Sequence, residues 1–381
     1  MKLSTDRILT THVGSLPRPD DLIALLFAKE KGEPYDESEL ETQVSAAVTD
    51  IVGRQVAAGL DVVSDGEMSK IGYSTYLKDR LNGFGREGGR RVPKDLQDYP
   101  DYSKRLVEIG CVPSISRPLC EGPIEIKTTK PLELDLANFE AAVAQTKPVE
   151  AFMNAASPGV AAVFMVNDYY PSEDAYLEAL ANVLKEEYEA IHKAGFVLQI
   201  DCPDLAMGRH MLYPDETMES FRKFAAMNVE ALNHATANIP ADRMRMHICW
   251  GNYPGPHHHD IPLEEILGIV LKARPAALLL EGANPRHEHE WEVFKSIPLP
   301  DDKVLIPGVI DSTSNYIEHP KLIAQRLCRY AEVVGKERVM AGSDCGFSTF
   351  AGVPQVFPSI VWAKFEAMVE GARLASEELW R

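Results

Sequence analysis

The chain has 381 residues, of which 45% are apolar and 25% are charged, the proportions of an ordinary soluble globular protein. Its formal net charge of −18 argues against nucleic acid or an anionic membrane as the main partner. No apolar run approaches the ~18 residues of a membrane-spanning helix, and the N-terminal segment lacks the apolar core of a signal peptide. We therefore expect a cytoplasmic protein, whose six cysteines serve packing, catalysis or metal binding rather than a disulfide framework.

Short β-rich runs alternate with helical patterns along the whole chain. Runs such as ALLL and FVLQI are almost continuously apolar, which is typical of parallel strands that are buried on both faces. The pattern predicts eight strands. They cover residues 8–16, 61–67, 149–157, 196–201, 244–250, 277–282, 303–311 and 339–346.

The segments between the strands carry helix signals, most clearly over residues 172–194. Ser172 is a good N-cap, two acidic residues follow it in the positive first turn, and Gly195 ends the pattern. The unit of helix, Ala-Gly, strand and Asp occurs twice, as AAGLDVVSD and KAGFVLQID, so each such helix returns the chain to a parallel strand. Further helices are predicted over residues 39–58, 216–237, 262–274, 319–334 and 355–378.

This alternation predicts an α/β fold, a single (β/α)8 TIM barrel over residues 1–381, with a doubly wound open sheet as the alternative. The segment between the second and third strands is too long for one loop and one helix. A glycine- and arginine-rich run at 85–91, several prolines and the stretch 120–134 indicate an inserted β-hairpin and a lid over the barrel mouth. We place this insertion at about residues 80–140.

Polar or metal-binding side chains end all eight predicted strands. Catalytic groups of barrel enzymes lie at these carboxyl ends, although Asp and Ser after a strand are also ordinary helix caps and turn formers. Eight such ends together favour a functional site. The residues are His12, Ser15, Asp65, Glu67, Asn154, Ser157, Asp201, His247, Cys249, Glu281, Asp311, Asp344 and Cys345.

The fifth predicted strand contains the tripeptide His247-Ile248-Cys249. Side chains two positions apart on a strand share a face, so the imidazole and the thiol form either a zinc-type donor pair or two ordinary buried residues. Glu281 ends the next strand, ~5 Å away, and Cys345 reaches the pair across the barrel mouth. The sequence therefore offers His, Cys, Cys and Glu to one Zn2+.

The remaining histidines and the arginine-rich run fit ordinary roles. His257–His259 and the pair His287 and His289 lie in polar loops, where metal binding would be adventitious. Arg86–Arg91 is either a solvated loop or a means of drawing an anionic substrate to the mouth. The sequence lacks the phosphate-binding and dinucleotide-binding motifs and the motif that carries the nucleophile of serine hydrolases. Their absence disfavours nucleotide-dependent enzymes and serine hydrolases.

At its strand ends the chain resembles the cobalamin-independent methionine synthase family, whose catalytic half is a (β/α)8 barrel. The matching motifs span nearly the whole chain and read TTHVGSLPRP, SDGE, LQIDCPDLAM, HICW, LLLE and DCG. The resemblance implies that the four donors named above hold zinc. The residues that it implies for the amino-acid thiol are Ser15, Glu67 and Asp201.

Three departures from the family pattern concern the methyl donor. The family's QIDEP reads QIDCP here, with Cys202 in place of Glu, and its DIHS reads DSTS, without the histidine thought to assist the folate leaving group. The tryptophan expected to stack on folate is not evident near Ser157–Phe164. The stretches HICWGNYPGPH and IDSTSNYIEHP are more similar to the short branch that includes the epoxyalkane:coenzyme M transferases.

The resemblance implies a zinc-dependent methyl- or alkyltransferase. A free thiol has a pKa of ~8.5, and coordination to Zn2+ converts it into a thiolate that attacks a methyl or alkyl carbon. The acceptor is a homocysteine-like or coenzyme M-like thiol, the donor is methyltetrahydrofolate, methylcobalamin or an epoxide, and Asp311 or His12 supplies the leaving group's proton. A zinc hydrolase and a non-catalytic thiol or pterin carrier are the alternatives, and the protein could form a homo-oligomer.

Overall fold

The computed structural model describes residues 1–89, 91–111, 113, 115–353 and 355–381. Its strands are β1 Val62–Val63, β2 Phe84–Glu87, β3 Pro118–Cys120, β4 Glu150–Ala156, β5 Val197–Asp201, β6 Met244–Ile248, β7 Ala277–Leu280, β8 Val304–Ile310 and β9 Gly342–Ser343. Seven of them form one curled parallel sheet in the order β1-β4-β5-β6-β7-β8-β9, while β2 and β3 pair separately. The order follows the chain without reversal, so the doubly wound alternative is wrong and the α/β class is confirmed.

One short segment around Thr10 joins the two edges of the seven-stranded sheet. The carbonyl of Thr10 accepts hydrogen bonds from the amides of Asp61 and Val62 at 3.1 Å, and the amide of Thr11 donates to Ala341 at 2.9 Å. The pairing there is a single parallel bridge, so the regular strand predicted over residues 8–16 is wrong. The second and eighth predicted strands, over 61–67 and 339–346, shorten to β1 and β9.

All six predicted helices are present, and Ser172 caps the helix predicted over residues 172–194 by accepting from the amide of Ala175 at 3.2 Å. Among the described helices, none is long and apolar enough to cross a membrane. The helices are α1 Asp20–Glu30, α2 Glu37–Ala57, α3 Leu77–Arg80, α4 Lys94–Gln97, α5 Pro100–Glu108, α6 Lys130–Thr146, α7 Pro158–Phe164, α8 Glu173–Lys193, α9 Gly208–Leu212, α10 Met218–Ala235, α11 Leu263–Val270, α12 Val293–Ser296, α13 Pro320–Val334 and α14 Pro358–Leu379.

The long connection from β1 to β4 contains α3, α4, α5 and the antiparallel pair of β2 and β3. β2 and β3 run antiparallel, as expected for the inserted β-hairpin. In the sequence, however, α4 and α5 lie between the two strands. The last part of the predicted insertion, residues 130–140, falls in α6, which packs against α2. Arg90, within the arginine-rich run, lies outside the described residues.

Side chains along each strand alternate between two cores, as a two-residue repeat requires. On β6, Met246 and Ile248 belong to the large core between the sheet and the helices. Arg245 points the other way, where its guanidinium lies 3.7 Å from the ring centroid of Phe152 in a small inner core. The same alternation turns His247 inward at the end of the strand, toward the mouth of the sheet.

Gly308 of β8 has no side chain, which allows Asp344, the residue that follows β9, to pack closely against it. A Cβ at this position would lie 2.0 Å from Asp344 Oδ1 and 2.6 Å from its Cα, so the clash involves backbone that has no free space to move. We expect Gly308→Ala to lower the free energy of unfolding by about 1–3 kcal/mol, measured by urea denaturation. Gly268→Ala, in α11 with nothing within 4 Å, is the control and should be neutral or stabilising. Equal effects of both changes would contradict this account.

Candidate metal centre and substrate cavity

Three side chains with metal-binding atoms meet at the carboxyl ends of β6 and β9. His247 lies on β6, Cys249 follows that strand, and Cys345 follows β9. One donor atom from each lies within 4.8 Å of the other two, and His247 Nε2 is 3.3 Å from Cys345 Sγ. All three residues are buried. The structure therefore brings together three of the four residues predicted to bind zinc.

The charges of this group favour a cation. A hydrogen bond from the Cys345 thiol to the sulfur of Cys249 lowers the pKa of Cys249 well below its ordinary value and raises that of Cys345. Burial alone lowers the pKa of His247, but its hydrogen bond with Cys249 and the charge of that sulfur outweigh burial and raise it. Within the described part of the chain, His247 Nδ1 is buried without a hydrogen-bond partner. A buried thiolate beside a second sulfur and an imidazole suits zinc or another thiophilic metal.

Glu281, the fourth predicted ligand, lies beside this group but outside the set of converging atoms. Its Oε1 accepts from the amide of Trp250 at 2.8 Å, and its Oε2 accepts from Asn284 Nδ2 at 2.7 Å. Burial raises the pKa of Glu281 to about 8, and the charge of Cys249 adds to that rise. The carboxyl group is thus tied to the residue next to Cys249, which keeps it close to the metal-binding atoms.

A cavity of about 110 Å³ lies over the three donors. Its polar floor contains His247, Cys249 and Cys345 together with the three residues predicted to hold the amino-acid thiol, Ser15, Glu67 and Asp201. Apolar side chains form most of the remaining wall. The cavity therefore combines a metal-binding floor, a small acidic pocket and an apolar space within one enclosure.

The two carboxylates of the cavity are held differently. Asp201 accepts from Asn154 Nδ2 at 3.0 Å and from Gln199 Nε2 at 2.9 Å. Arg18 binds the backbone carbonyl of Glu67, not its side chain, and Oε2 of Glu67 is buried with no hydrogen-bond partner among the described residues. Burial raises the pKa of Glu67 to about 7, and the nearby charge of Asp201 contributes. An unpaired buried carboxylate oxygen is suited to receive a ligand ammonium group.

Residues 8–373 match the family model of the cobalamin-independent synthase catalytic domain. The chain belongs to this family. It is 25% identical over 375 residues to a methionine synthase of Saccharolobus solfataricus, covering 98% of this chain and 96% of that protein. A methionine synthase of Thermococcus kodakarensis is 24% identical over 375 residues, with 98% and 94% covered. The match confirms the family predicted from the strand-end motifs.

The fold is also similar to that of a solved member of the cobalamin-independent synthases. The B12-independent methionine synthase from Shewanella sp. W3-18-1, in complex with selenomethionine, superposes with a TM-score of 0.74 at 20% identity, and 98% and 99% of the two chains are covered. The putative vitamin-B12 independent methionine synthase from Listeria monocytogenes gives 0.65 at 21% identity, with 96% and 98% covered.

Asp311 and His12, the two residues predicted to supply the leaving group's proton, lie apart in the structure. Asp311 lines a second cavity of about 220 Å³, which shares Cys345 with the first, and its Oδ1 accepts from the amide and hydroxyl of Thr313. His12 is fully buried away from both cavities, with Nε2 against Gln55 and Nδ1 accepting from the amide of Gly14. Burial lowers the pKa of His12 to about 3, so its ring is neutral at physiological pH.

An aromatic wall of the cavity escaped the sequence analysis, which looked for the family's tryptophan after the third predicted strand. The structure places Phe164 there, at the end of α7, with Tyr73 at 5.7 Å and Phe350 at 6.3 Å between ring centroids. The guanidinium of Arg117 lies 4.9 Å from the Phe164 ring. These residues come from distant parts of the chain, so the only local signal was the phenylalanine that ends PGVAAVF.

Proposed function

We propose that this protein transfers a methyl group to the sulfur of homocysteine or a close analogue, with zinc at the three converging donors. The observation that carries the proposal is the shared cavity. Its floor contains two cysteine sulfurs and an imidazole nitrogen, and the same floor presents two buried carboxylates and a serine. One small molecule with a thiol at one end and an ammonium group at the other fits that arrangement.

Membership of the cobalamin-independent synthases makes the chain a methyltransferase that acts on a thiol, as predicted. The relatives named above are methionine synthases, which supports homocysteine as the acceptor and methionine as the product. No feature of the described cavity favours an epoxide as the electrophile or water as the nucleophile. The transferase is therefore the one function that we put forward.

His247, Cys249 and Cys345 would hold the zinc, with Glu281 as the fourth ligand once its carboxylate turns from Asn284. Two sulfurs and an imidazole nitrogen are donors that zinc prefers, and the proton shared by the two cysteines is released when both sulfurs bind. When bound, zinc lowers the pKa of a substrate thiol, which then reacts as a thiolate.

Glu67 and Asp201 orient the acceptor. We propose that the ammonium group of the amino acid lies between them, where Oε2 of Glu67 gains its missing partner and the two like charges are neutralised. The hydroxyl of Ser15 and nearby backbone amides would receive the carboxylate. This placement leaves the sulfur end of the acceptor directed at Cys249 and Cys345.

We propose that the methyl donor binds on the apolar side of the cavity. The rings of Tyr73, Phe164 and Phe350 offer a surface on which a flat heterocycle can stack, and Arg117 offers a positive charge beside it. These features support methyltetrahydrofolate, whose pterin ring is flat and whose tail is anionic. Asp311, in the adjoining cavity, is the residue that we propose to protonate the departing nitrogen.

The insertion acts in this proposal as a lid. Arg91, Leu96, Leu106 and Arg117 from the connection between β1 and β4 line the cavity that contains the metal-binding residues. We further propose that the joined sheet is a single (β/α)8 barrel domain, in which the Thr10 segment occupies the eighth position. A lid over the mouth excludes water that would otherwise compete for the methyl group.

The test is direct product identification. The zinc-loaded protein is incubated with homocysteine or coenzyme M and, in separate reactions, methyltetrahydrofolate, methylcobalamin or epoxypropane, and thioethers are identified by mass spectrometry. We expect methionine from homocysteine with a methyl donor. Turnover at the same rate by the metal-free protein, or a thioether formed only with the epoxide, would overturn the proposal.

The raised pKa of Glu67 predicts how binding of the product methionine depends on pH. Below about 7 its carboxyl group is neutral, and above about 7 it is a carboxylate that can bind the ammonium group. Methionine affinity should therefore rise up to about tenfold per pH unit as pH approaches 7 from below, and level off above it. Calorimetry at pH 5.5 to 8.5 measures this, and Glu67→Gln should flatten the profile. A profile that persists unchanged in Glu67→Gln would contradict the assignment.

A further inference from the structure

A second group of metal-binding side chains lies outside the cavity, where the insertion meets the loop after β6. Asp98 follows α4 in the insertion, and His258 and His259 are adjacent in the loop. Both Nε2 atoms face one carboxylate oxygen, Asp98 Oδ2, at 3.0 Å from His258 and 2.6 Å from His259. One donor atom from each of the three residues lies within 4.8 Å of the other two.

A buried anchor holds these two segments together one helical turn away. Asp95 of α4 accepts from the hydroxyl of Tyr253 at 2.8 Å and from the amide of His257 at 2.9 Å. Residues three apart on a helix share a face, so the contact that fixes Asp95 also directs Asp98 toward the residues after His257. The three donors are therefore brought together by structure that does not depend on their own hydrogen bonds.

The chemistry of the group is that of a divalent transition-metal site. Two imidazole nitrogens and one carboxylate oxygen suit Zn2+, Co2+ or Ni2+, whereas Mg2+ and Ca2+ prefer oxygen ligands alone. The side chains of the two histidines are each 37% exposed and that of Asp98 is 40% exposed, so water can complete the coordination. A hollow of about 250 Å³ opens beside the histidines and gives those waters room.

The hydrogen bonds between Asp98 and the two histidines favour a charged carboxylate, which attracts a cation. Hydrogen bonds from His259 and His258 lower the pKa of Asp98, which keeps its carboxylate charged. Both Nε2 atoms face the same carboxylate oxygen, so a metal ion bound there would contact all three donors. Three coordinate bonds to one ion would replace these two hydrogen bonds.

We propose that Asp98, His258 and His259 form a second divalent metal site, separate from the buried cysteine-containing one, which fastens the insertion to the loop after β6. The loop in question carries Cys249 at its start, so the bound ion connects the lid to the segment that forms the catalytic floor. The bound ion would stabilise the closed position of the lid. It would not contact the substrate, because none of its three ligands lines the cavity.

Metal counting tests the proposal. Untagged protein carrying one tightly bound zinc is titrated with Co2+, and bound metal is measured by equilibrium dialysis and visible absorption. We expect one additional saturable equivalent with weak ligand-field bands and no thiolate-to-cobalt charge transfer, since this site contains no sulfur. Asp98→Ala and the double change His258→Ala/His259→Ala should each weaken that binding at least tenfold. His234→Ala removes a surface histidine that pairs with Asn182 and is the control.

Proteolysis supplies a second measurement that is independent of activity. Lys104 and Arg105 in α5 are exposed, so trypsin can sample opening of the insertion there. Added Co2+ should slow cleavage in the wild-type protein and have no effect in His258→Ala/His259→Ala. Absence of a second equivalent in the wild type, or binding as tight as the wild type's in Asp98→Ala and His258→Ala/His259→Ala, would overturn the proposal. Because the second equivalent is identified by its lack of thiolate bands, failure of the buried zinc site would be seen separately.

Discussion

If zinc binds at the proposed site, replacement of Cys345 by alanine is expected to remove it and to lower the rate of methyl transfer more than about 100-fold. Loss of a residue that merely supports a metal ligand costs 10- to 100-fold in affinity or activity, and a lost ligand should exceed that range. Cys345 reaches Cys249 and His247 from the other side of the sheet mouth, and without it the other two converging donors lie at the end of β6 alone. Cys249→Ala should have an equal effect.

Cys328→Ala is the matched control for this experiment. Cys328 is also a buried free cysteine, but it lies in α13, where its pKa is raised to about 11 by burial and by nearby acidic residues. Its removal should cost stability through a small cavity and leave zinc content at one equivalent. Zinc is measured by elemental analysis after dialysis, and methyl transfer by methionine formation. Full zinc content in Cys345→Ala would show that the sulfurs do not form the metal site.

The sequence predicted the converging donors because their positions follow from strand geometry. His247 and Cys249 are two residues apart at the end of β6, so their side chains share a face, and a parallel sheet gathers such ends at one mouth. The family motif then singled out Cys345 among six cysteines. Local sequence and one family pattern were sufficient for these residues, because each donor is placed by backbone alone.

The parts that the sequence did not give depend on side-chain contacts between distant segments. Whether Glu281 points at the metal-binding atoms is decided by Trp250 and Asn284, which compete for its oxygens. The neutral state of His12 follows from its complete burial, which lowers its pKa more than the hydrogen bond with Gln55 raises it. Neither the periodicity nor the spacing of a sequence shows which partners compete for a side chain. The position of a residue at a strand end therefore predicts which residues lie near it, but not the direction in which its side chain points.

The backbone of the first predicted strand, residues 8–16, also could not be predicted from local sequence. The run ILTTHVGSL has the composition of a strand, yet Gly14 lies at a φ of 141°, where a Cβ would come within 2.2 Å of Asn154 Oδ1. The chain turns there to bring Ser15 into the cavity, so pairing with the sheet is confined to the bridge at Thr10. A loop that lines the cavity thus replaces regular strand geometry.

Replacement of Asp201 by asparagine is expected to lower kcat/KM for homocysteine by about 10- to 100-fold while zinc content stays at one equivalent. A hydrogen bond to a charged group contributes about 1.5–3 kcal/mol, and the amide loses the charge that neutralises the ammonium group. The loss should fall mainly on KM, because in the proposed binding mode the carboxylate contacts a part of the acceptor that does not react. Steady-state rates with homocysteine measure the change, and a thiol without an amino group, such as coenzyme M, should be affected little.

Asp204→Asn provides a closely matched control for that loss. Asp204 is buried near the same strand end, where its oxygens accept from Ser157 Oγ at 2.7 Å and from Asn228 Nδ2 at 2.9 Å, but it does not line the cavity. Its replacement removes a buried charge with two donors, as at Asp201, so both variants should lose comparable stability in urea denaturation. Only Asp201→Asn should change KM for homocysteine. Equal changes in KM for the two variants would mean that Asp201 supports the fold and does not bind the acceptor, and the proposed ammonium pocket would then have to be placed elsewhere.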